Sequence, residues 1–293
     1  MPLIIPDDIP AFEILAKSAF VMANKRAQTQ DIRPLRVLVC NLMPTKIETE
    51  NQILSLLANS PLQVEITLLA TKSYVGKNTP LSHLRRFYVN FEDVQKQRFD
   101  GAIVTGAPIE HLKFEEVKYW KELVSIMQFL DTNCTSTMYL CWGAMAGLYY
   151  FYGINKTPLK QKLFGIFPHT KVCEDALLNG LDELVKIPHS RHCHINQSQL
   201  SNNKALTTLL KGRSSGASVI KDKKNIFILG HPEYARDTLL NEYQRDLDKG
   251  LAIATPKNYL KNGTPILSWR SSASVLFANW LNFYVYQSTP YKL

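Results

Sequence analysis

Five short apolar runs, separated by segments of helix length, constrain this chain's fold more than any other feature. They are 36–42 (RVLVCNL), 63–69, 99–105 (FDGAIVT), 135–140 (TSTMYL) and 225–229 (NIFIL). Their length and aliphatic, β-branched content predict strands, mostly buried on both faces. Helical rhythm fills 47–58, 114–130, 143–152 and 237–249. Strands alternating with helices of this size predict an α/β fold, a mostly parallel sheet with helices on both faces. Between 156 and 224, short apolar runs broken by Pro, Gly, Asn and Ser predict peripheral strands and loops. The apolar, aromatic stretch 271–286 predicts a packed or subunit-interface helix. Neither a repeat nor a linker interrupts the chain, so a single domain over 1–293 is expected, with 1–35 as an extension packing on the core.

The chain has 293 residues, 45% hydrophobic and 20% charged, as in an ordinary globular protein. No apolar run reaches the ~20 residues of a bilayer span. The start, MPLIIPDDIPAF, places Pro and Asp where a signal peptide needs an apolar stretch. Five scattered cysteines, at 40, 134, 141, 173 and 193, fit reduced thiols. A cytoplasmic location follows as the expectation. The net charge of +9 is spread along the chain, and its densest run, KDKKN at 221–225, reads as a loop tip. Nucleic acid is therefore not an expected partner; a phosphate-rich small molecule would benefit from the same field.

Cys141 follows the fourth run directly and precedes Trp142-Gly143-Ala144. A strand turning sharply into a helix at a nucleophile holds that side chain above the sheet's carboxyl edge, with the helix N-terminus favouring the thiolate. A second sharp turn, Gly230-His231-Pro232-Glu233, follows the fifth run. Parallel strands present their carboxyl ends on one side, so the two turns can face each other across ninety residues. Cysteine nucleophile, histidine base and orienting carboxylate form a triad by residue type.

These residues resemble the class I glutamine amidotransferase superfamily, whose triad has the same types in the same order. A narrower resemblance, to the homoserine O-acyltransferases of bacterial methionine synthesis, covers nearly the whole chain. It rests on Arg26-Ala27, Gln30-Asp31-Ile32-Arg33-Pro34-Leu35, Asn41-Leu42-Met43-Pro44, Lys46, Thr49-Glu50 and Thr105-Gly106-Ala107-Pro108. It continues through Cys141-Trp142-Gly143, Pro188-His189-Ser190-Arg191, Gly230–Tyr234, Ser268-Trp269-Arg270 and the end, 279–291. The resemblance implies a flavodoxin-like core and ping-pong transfer from an acyl-coenzyme A to L-homoserine through a Cys141 thioester. His231 is then the base and Glu233 its orienter. Backbone N–H groups of Trp142, Gly106 and Ala107 are candidates for stabilising the oxyanion. Lys162, Ser190 and Arg245 match the family's homoserine-binding positions. Glu110 stands at the acyl-selectivity position, where Glu accompanies acetyl-CoA and Gly succinyl-CoA; its carboxylate would repel a succinyl terminus. No cofactor beyond the acyl-CoA co-substrate is implied, and a homodimer is.

Met145 and Pro168 depart from the family pattern, where Gln and Glu are expected. The cluster His189, His192, Cys193, His194 has no second ligand pair at useful spacing, so no metal is expected. The succinyltransferase stays open as the alternative. An amidohydrolase or glutamine amidotransferase using the same triad, or a non-catalytic protein of this fold, is more remote.

Overall fold

The computed structural model describes residues 3–17, 21–23, 33–73 and 78–290. Arg26-Ala27, residues 30–32 and Tyr291, which carry part of the resemblance, lie outside these. In chain order the first elements are β1 (Leu3–Ile4), α1 (Pro10–Leu15), β2 (Val21–Met22), β3 (Leu35–Cys40), α2 (Lys46–Leu57) and β4 (Val64–Leu69). Then come α3 (Leu81–Phe87), β5 (Tyr88–Val89), α4 (Phe91–Val94), β6 (Phe99–Val104), α5 (Trp120–Asn133), β7 (Cys134–Leu140) and α6 (Trp142–Tyr152). The remainder is β8 (Lys156–Lys171), β9 (Leu184–Ile195), α7 (Gln197–Asn202), β10 (Thr207–Gly212), β11 (Gly216–Lys221), β12 (Asn225–Ile228), α8 (Thr238–Asp248), the small hairpin of β13 (Leu260–Lys261) and β14 (Thr264–Pro265), and α9 (Arg270–Asn279).

The first twelve strands form one sheet in the order β2-β1-β4-β3-β6-β7-β12-β11-β10-β8-β9, with β5 also on β4. From β2 to β12 neighbours are parallel, and from β12 to β9 antiparallel. The middle third therefore extends the sheet from one edge. Both faces are covered, because alternate strand residues enter different cores. Val37 and Val39 pack in one core with Ile53 and Leu54 of α2 and Phe277 of α9. Leu38 and Cys40 pack in the other with Ile126 and Leu130 of α5 and Ala146 of α6. Burying a Leu or Phe in this way stabilises by roughly 1.5–3 kcal/mol. Among the described residues, no helix is long and apolar enough to cross a membrane.

Two expected elements differ. The helix expected over 114–130 begins at Trp120, after a separate 3-10 turn at Phe114–Glu116. Val117 is extended (φ −71°, ψ 125°), because Phe114 is drawn into an aromatic group with Trp142 and Tyr149, at centroid distances of 5.9 and 4.6 Å. The stretch 271–286 is α-helical only to Asn279 and then π-helical over Trp280–Tyr286. The wider turn lets Trp280 Nε1 donate to Ser136 Oγ at 3.0 Å. It also seats Trp280 and Val285 over Gly101, where a Cβ would lie 3.0 Å from Val285. Leu276, Phe277, Trp280, Leu281 and Val285 are buried in the chain's own core, so this stretch is a packed element.

Candidate active site

Two adjacent parallel strands build the centre. Ile228 of β12 is in register with Leu140 of β7, and the Cys141 N–H donates to Ile228 O at 2.7 Å. The chain leaves both strands at the same level, which is why turns ninety residues apart meet. Cys141 is the N-cap of α6, with φ 47° and ψ −114°. A positive φ at a non-glycine costs on the order of 1–3 kcal/mol and persists only where the surroundings enforce it. Gly143 supplies part of that enforcement. A Cβ there would lie 2.5 Å from Thr105 O, so α6 begins in backbone contact with the end of β6.

His231 Nδ1 stands 2.7 Å from Glu233 Oε1, and both residues are buried. This assigns the Nδ1 proton to the carboxylate contact and leaves Nε2 for Cys141. Burial opposes the charged ring, but Cys141 and Glu233 outweigh it and hold the His231 pKa well above the usual histidine value. The ring stacks on Tyr234 at 4.1 Å, and the His231 N–H is tied to Pro188 O at 2.8 Å. Gly230 allows that approach to β9, since a Cβ would lie 2.5 Å from Ile187. On the other side, a Cβ at Gly106 would lie 3.2 Å from that of Cys141 and 3.7 Å from His231 Cε1. Gly106 thus sits against the pair. Ala107 lines the adjoining cavity, and Trp142 opens α6 directly after Cys141.

That cavity, about 480 Å³, is lined by Cys141, His231, Glu110, Lys162, Ser190 and Arg245 among others. All three sequence-predicted homoserine positions are therefore brought to the triad. Lys162 Nζ is 3.0 Å from Asp246 Oδ2 and 3.9 Å from Glu242 Oε2. Ser190 Oγ donates to Glu242 Oε2 at 2.5 Å. Arg245 holds Asp246 Oδ1 through Nε and an Nη, at 2.9 and 2.7 Å, while remaining half exposed. Paired cations and carboxylates of this kind suit a zwitterion, each sign meeting its opposite. Glu110 is buried, with Oε1 4.0 Å from Cys141 Sγ and Oε2 accepting the His192 N–H. Burial raises its pKa, against the lowering effect of that N–H and of His231 and Arg191.

Sequence reasoning missed several neighbours. Glu242 also accepts from Tyr234 OH at 2.7 Å, linking the Ser190 contact to the ring stacked on His231. Arg191 is fully buried, donating to Cys193 O and Ser215 O at 2.8 and 2.7 Å; burial lowers its pKa to about 10. The available signals were strand alternation, which sends His189, Arg191 and Cys193 inward, and helical spacing, which puts Glu242 and Asp246 one turn apart on the same helix face. That alternation also separates the members of the His189, His192, Cys193, His194 cluster, where no metal was expected. His189 and Cys193 are buried on one side of β9, and His192 lines the cavity on the other. Among the described residues no group of ligands suited to a metal is found. Met145 is buried beneath the elbow; Pro168 lies exposed in β8, paired with Lys186.

The family model for homoserine O-succinyltransferase matches residues 2–291. Proteins named homoserine O-acetyltransferase match over 100% of both chains in Campylobacter jejuni, at 57% identity, and in Lachnoclostridium phytofermentans, at 51%. One from Bacillus cereus matches over the same full lengths at 49%. Among solved structures, a glutamine amidotransferase from Thermotoga maritima is similar in fold, with TM-score 0.62 at 12% identity over 87% of this chain and 100% of that one. Another from Methylobacillus flagellatus gives 0.56 at 10% identity, over 86% and 95%.

Proposed function

The chain belongs to the homoserine O-succinyltransferase family of acyltransferases, and we propose that it is an acetyl-transferring member, moving acetyl from acetyl-coenzyme A to the hydroxyl of L-homoserine. The observation that carries the choice of donor is the Glu110 carboxylate, 4.0 Å from Cys141 Sγ. A succinyl group on that sulfur would bring a second carboxylate into the space Glu110 fills, whereas acetyl brings neither charge nor length. The names of the full-length relatives support the same reading.

The mechanism follows from the centre. The Cys141 thiolate attacks the thioester carbonyl while the ring holds the proton, a state favoured by the raised His231 pKa. The bond from carbonyl carbon to coenzyme A sulfur breaks, and coenzyme A leaves with the proton from Nε2. His231 then takes the hydroxyl proton of homoserine, whose oxygen attacks the Cys141 thioester. The sulfur is released, and the products are O-acetylhomoserine and coenzyme A. Glu233 holds the tautomer and offsets the imidazolium charge. The Trp142, Gly106 and Ala107 N–H groups are the candidate donors to both oxyanions. Lys162, Ser190 and Arg245, with Glu242 and Asp246, would orient the amino acid's carboxylate and ammonium. The reading places the chain in methionine biosynthesis, in the cytoplasm, as a homodimer without a further cofactor.

Purified protein given L-homoserine and either acetyl-CoA or succinyl-CoA, with free thiol release followed, should turn over acetyl-CoA faster. Equal or faster release with succinyl-CoA would sink the donor assignment. A Cys141→Ala protein that stays active would sink the thioester route.

A further inference from the structure

We propose that Lys156 is a positioning residue for acyl-donor selection: it fixes the loop that carries Glu110 and so sets where the selecting carboxylate stands relative to Cys141. The inference rests on the acetyltransferase reading above. The loop between β6 and the turn at Phe114 has few constraints of its own, the Ile109 N–H to Ala107 O at 2.9 Å and the Leu112 N–H to Ile109 O at 3.1 Å. What holds Glu110 comes from the paired strands β8 and β9. Lys156, opposite Ile195 in that pair, donates from Nζ to Glu110 O and to Leu112 O, the latter at 2.6 Å. Its ammonium also lies over the Phe114 ring, 5.3 Å from the centroid. Cys193 Sγ donates to the same Glu110 carbonyl at 3.5 Å, and the His192 N–H holds the carboxylate. Among the described residues, no carboxylate ion pair is found for Lys156. Its three donors therefore serve two carbonyls in the half of the loop that carries Glu110, and an aromatic face.

An ammonium holding two carbonyls of that segment tethers it to β8 and opposes its displacement. If the bridge is lost, the His192 contact to the carboxylate remains, but the Glu110 backbone carbonyl keeps only the weak Cys193 thiol donor and is held less firmly. A displacement of about 1 Å at such a site can cost orders of magnitude in a positioned interaction. Here the interaction is exclusion, so the consequence is relaxed choice of donor rather than lost chemistry.

The test measures kcat/KM for acetyl-CoA and succinyl-CoA in the wild type, Lys156→Met and Lys156→Arg, with the homoserine KM and the melting temperature alongside. The expected result is an acetyl-to-succinyl ratio lowered about tenfold in Lys156→Met, at a homoserine KM within about twofold of wild type. Lys156→Arg, which keeps donors for both carbonyls, should recover most of the ratio and serves as the readout should the Met variant fail to fold. A ratio unchanged in Lys156→Met, or the same loss for both donors, overturns the proposal, since a merely structural role would depress both alike. If the wild type acetylates no homoserine, the acetyltransferase reading fails first, and that outcome is distinct from a selective wild type with an equally selective variant.

Discussion

At the residue scale, Cys141, His231 and Glu233 were legible because their chemistry depends on residue type and on position at strand ends. Arg191, Glu242 and Lys156 were not, because a lone Lys, Arg or Glu is usually a solvated charge, and only three-dimensional neighbours reveal another use. Glu110 lies between these cases: the resemblance marked the position, and the geometry supplies a reason for it. The carboxylate is buried 4.0 Å from the sulfur, near enough for a second carboxylate on the acyl chain to meet repulsion of a few kcal/mol at an effective dielectric of about 20. Glu110→Gly should therefore raise the succinyl-to-acetyl ratio of kcat/KM by roughly ten- to a hundredfold. Competition between the two donors in one reaction, with products resolved by mass, measures this directly. An unchanged ratio would mean that the carboxylate does not face the acyl group.

At the element scale, the strands that run straight into the turns carrying Cys141 and His231 were the most legible, because short apolar runs have few other fates. The long strands β8 and β9 were hidden by their own composition. They alternate polar and apolar residues and carry Pro158, Pro168 and Pro188, which read as breaks in a single sequence. The junction of β7 and α6 makes the sharper prediction. A methyl on Gly143 would meet the backbone oxygens of Thr105 and Val104 at 2.5 and 3.0 Å, and backbone has little room to yield. Gly143→Ala should destabilise by about 1–3 kcal/mol and lower kcat for both donors by displacing Cys141. Gly153→Ala is an informative contrast. A Cβ there meets nothing within 4 Å, and its φ of 65° leaves only backbone strain, so it should cost stability without moving Cys141. Denaturant midpoints and kcat for the two variants separate the effects; a Gly143→Ala protein with wild-type kcat would contradict the assigned contact.

For the whole molecule, the parallel sheet covered on both faces was legible from periodicity and its extension only as peripheral strands, without their antiparallel pairing; a buried polar chain lies within that extension. Arg191 Nε donates to His189 Nδ1 at 3.2 Å, so the His189 proton is on Nε2, which faces His169 Nε2 at 3.2 Å. His169 in turn gives its Nδ1 proton to Val185 O at 3.3 Å, and its Nε2 also meets Ser215 Oγ at 2.7 Å. Both rings must be neutral for this order to hold, since a proton on His169 Nε2 would oppose the His189 N–H. Burial, with Arg191 adding repulsion, lowers the His169 pKa from 6.5 to about 4 and that of His189 well below its usual value. A histidine depressed on folding contributes stability that is complete above its unfolded pKa and lost as pH falls towards its folded one. The window for His169 therefore runs from about 6.5 down to about 4, with up to about 3 kcal/mol at stake. Guanidinium unfolding at pH 7 and pH 5 should show the wild type weakening across that interval. His169→Gln, which has no proton to gain, should start weaker at pH 7 and lose less on acidification; equal losses in the two proteins would show that this chain does not govern the acid side of stability.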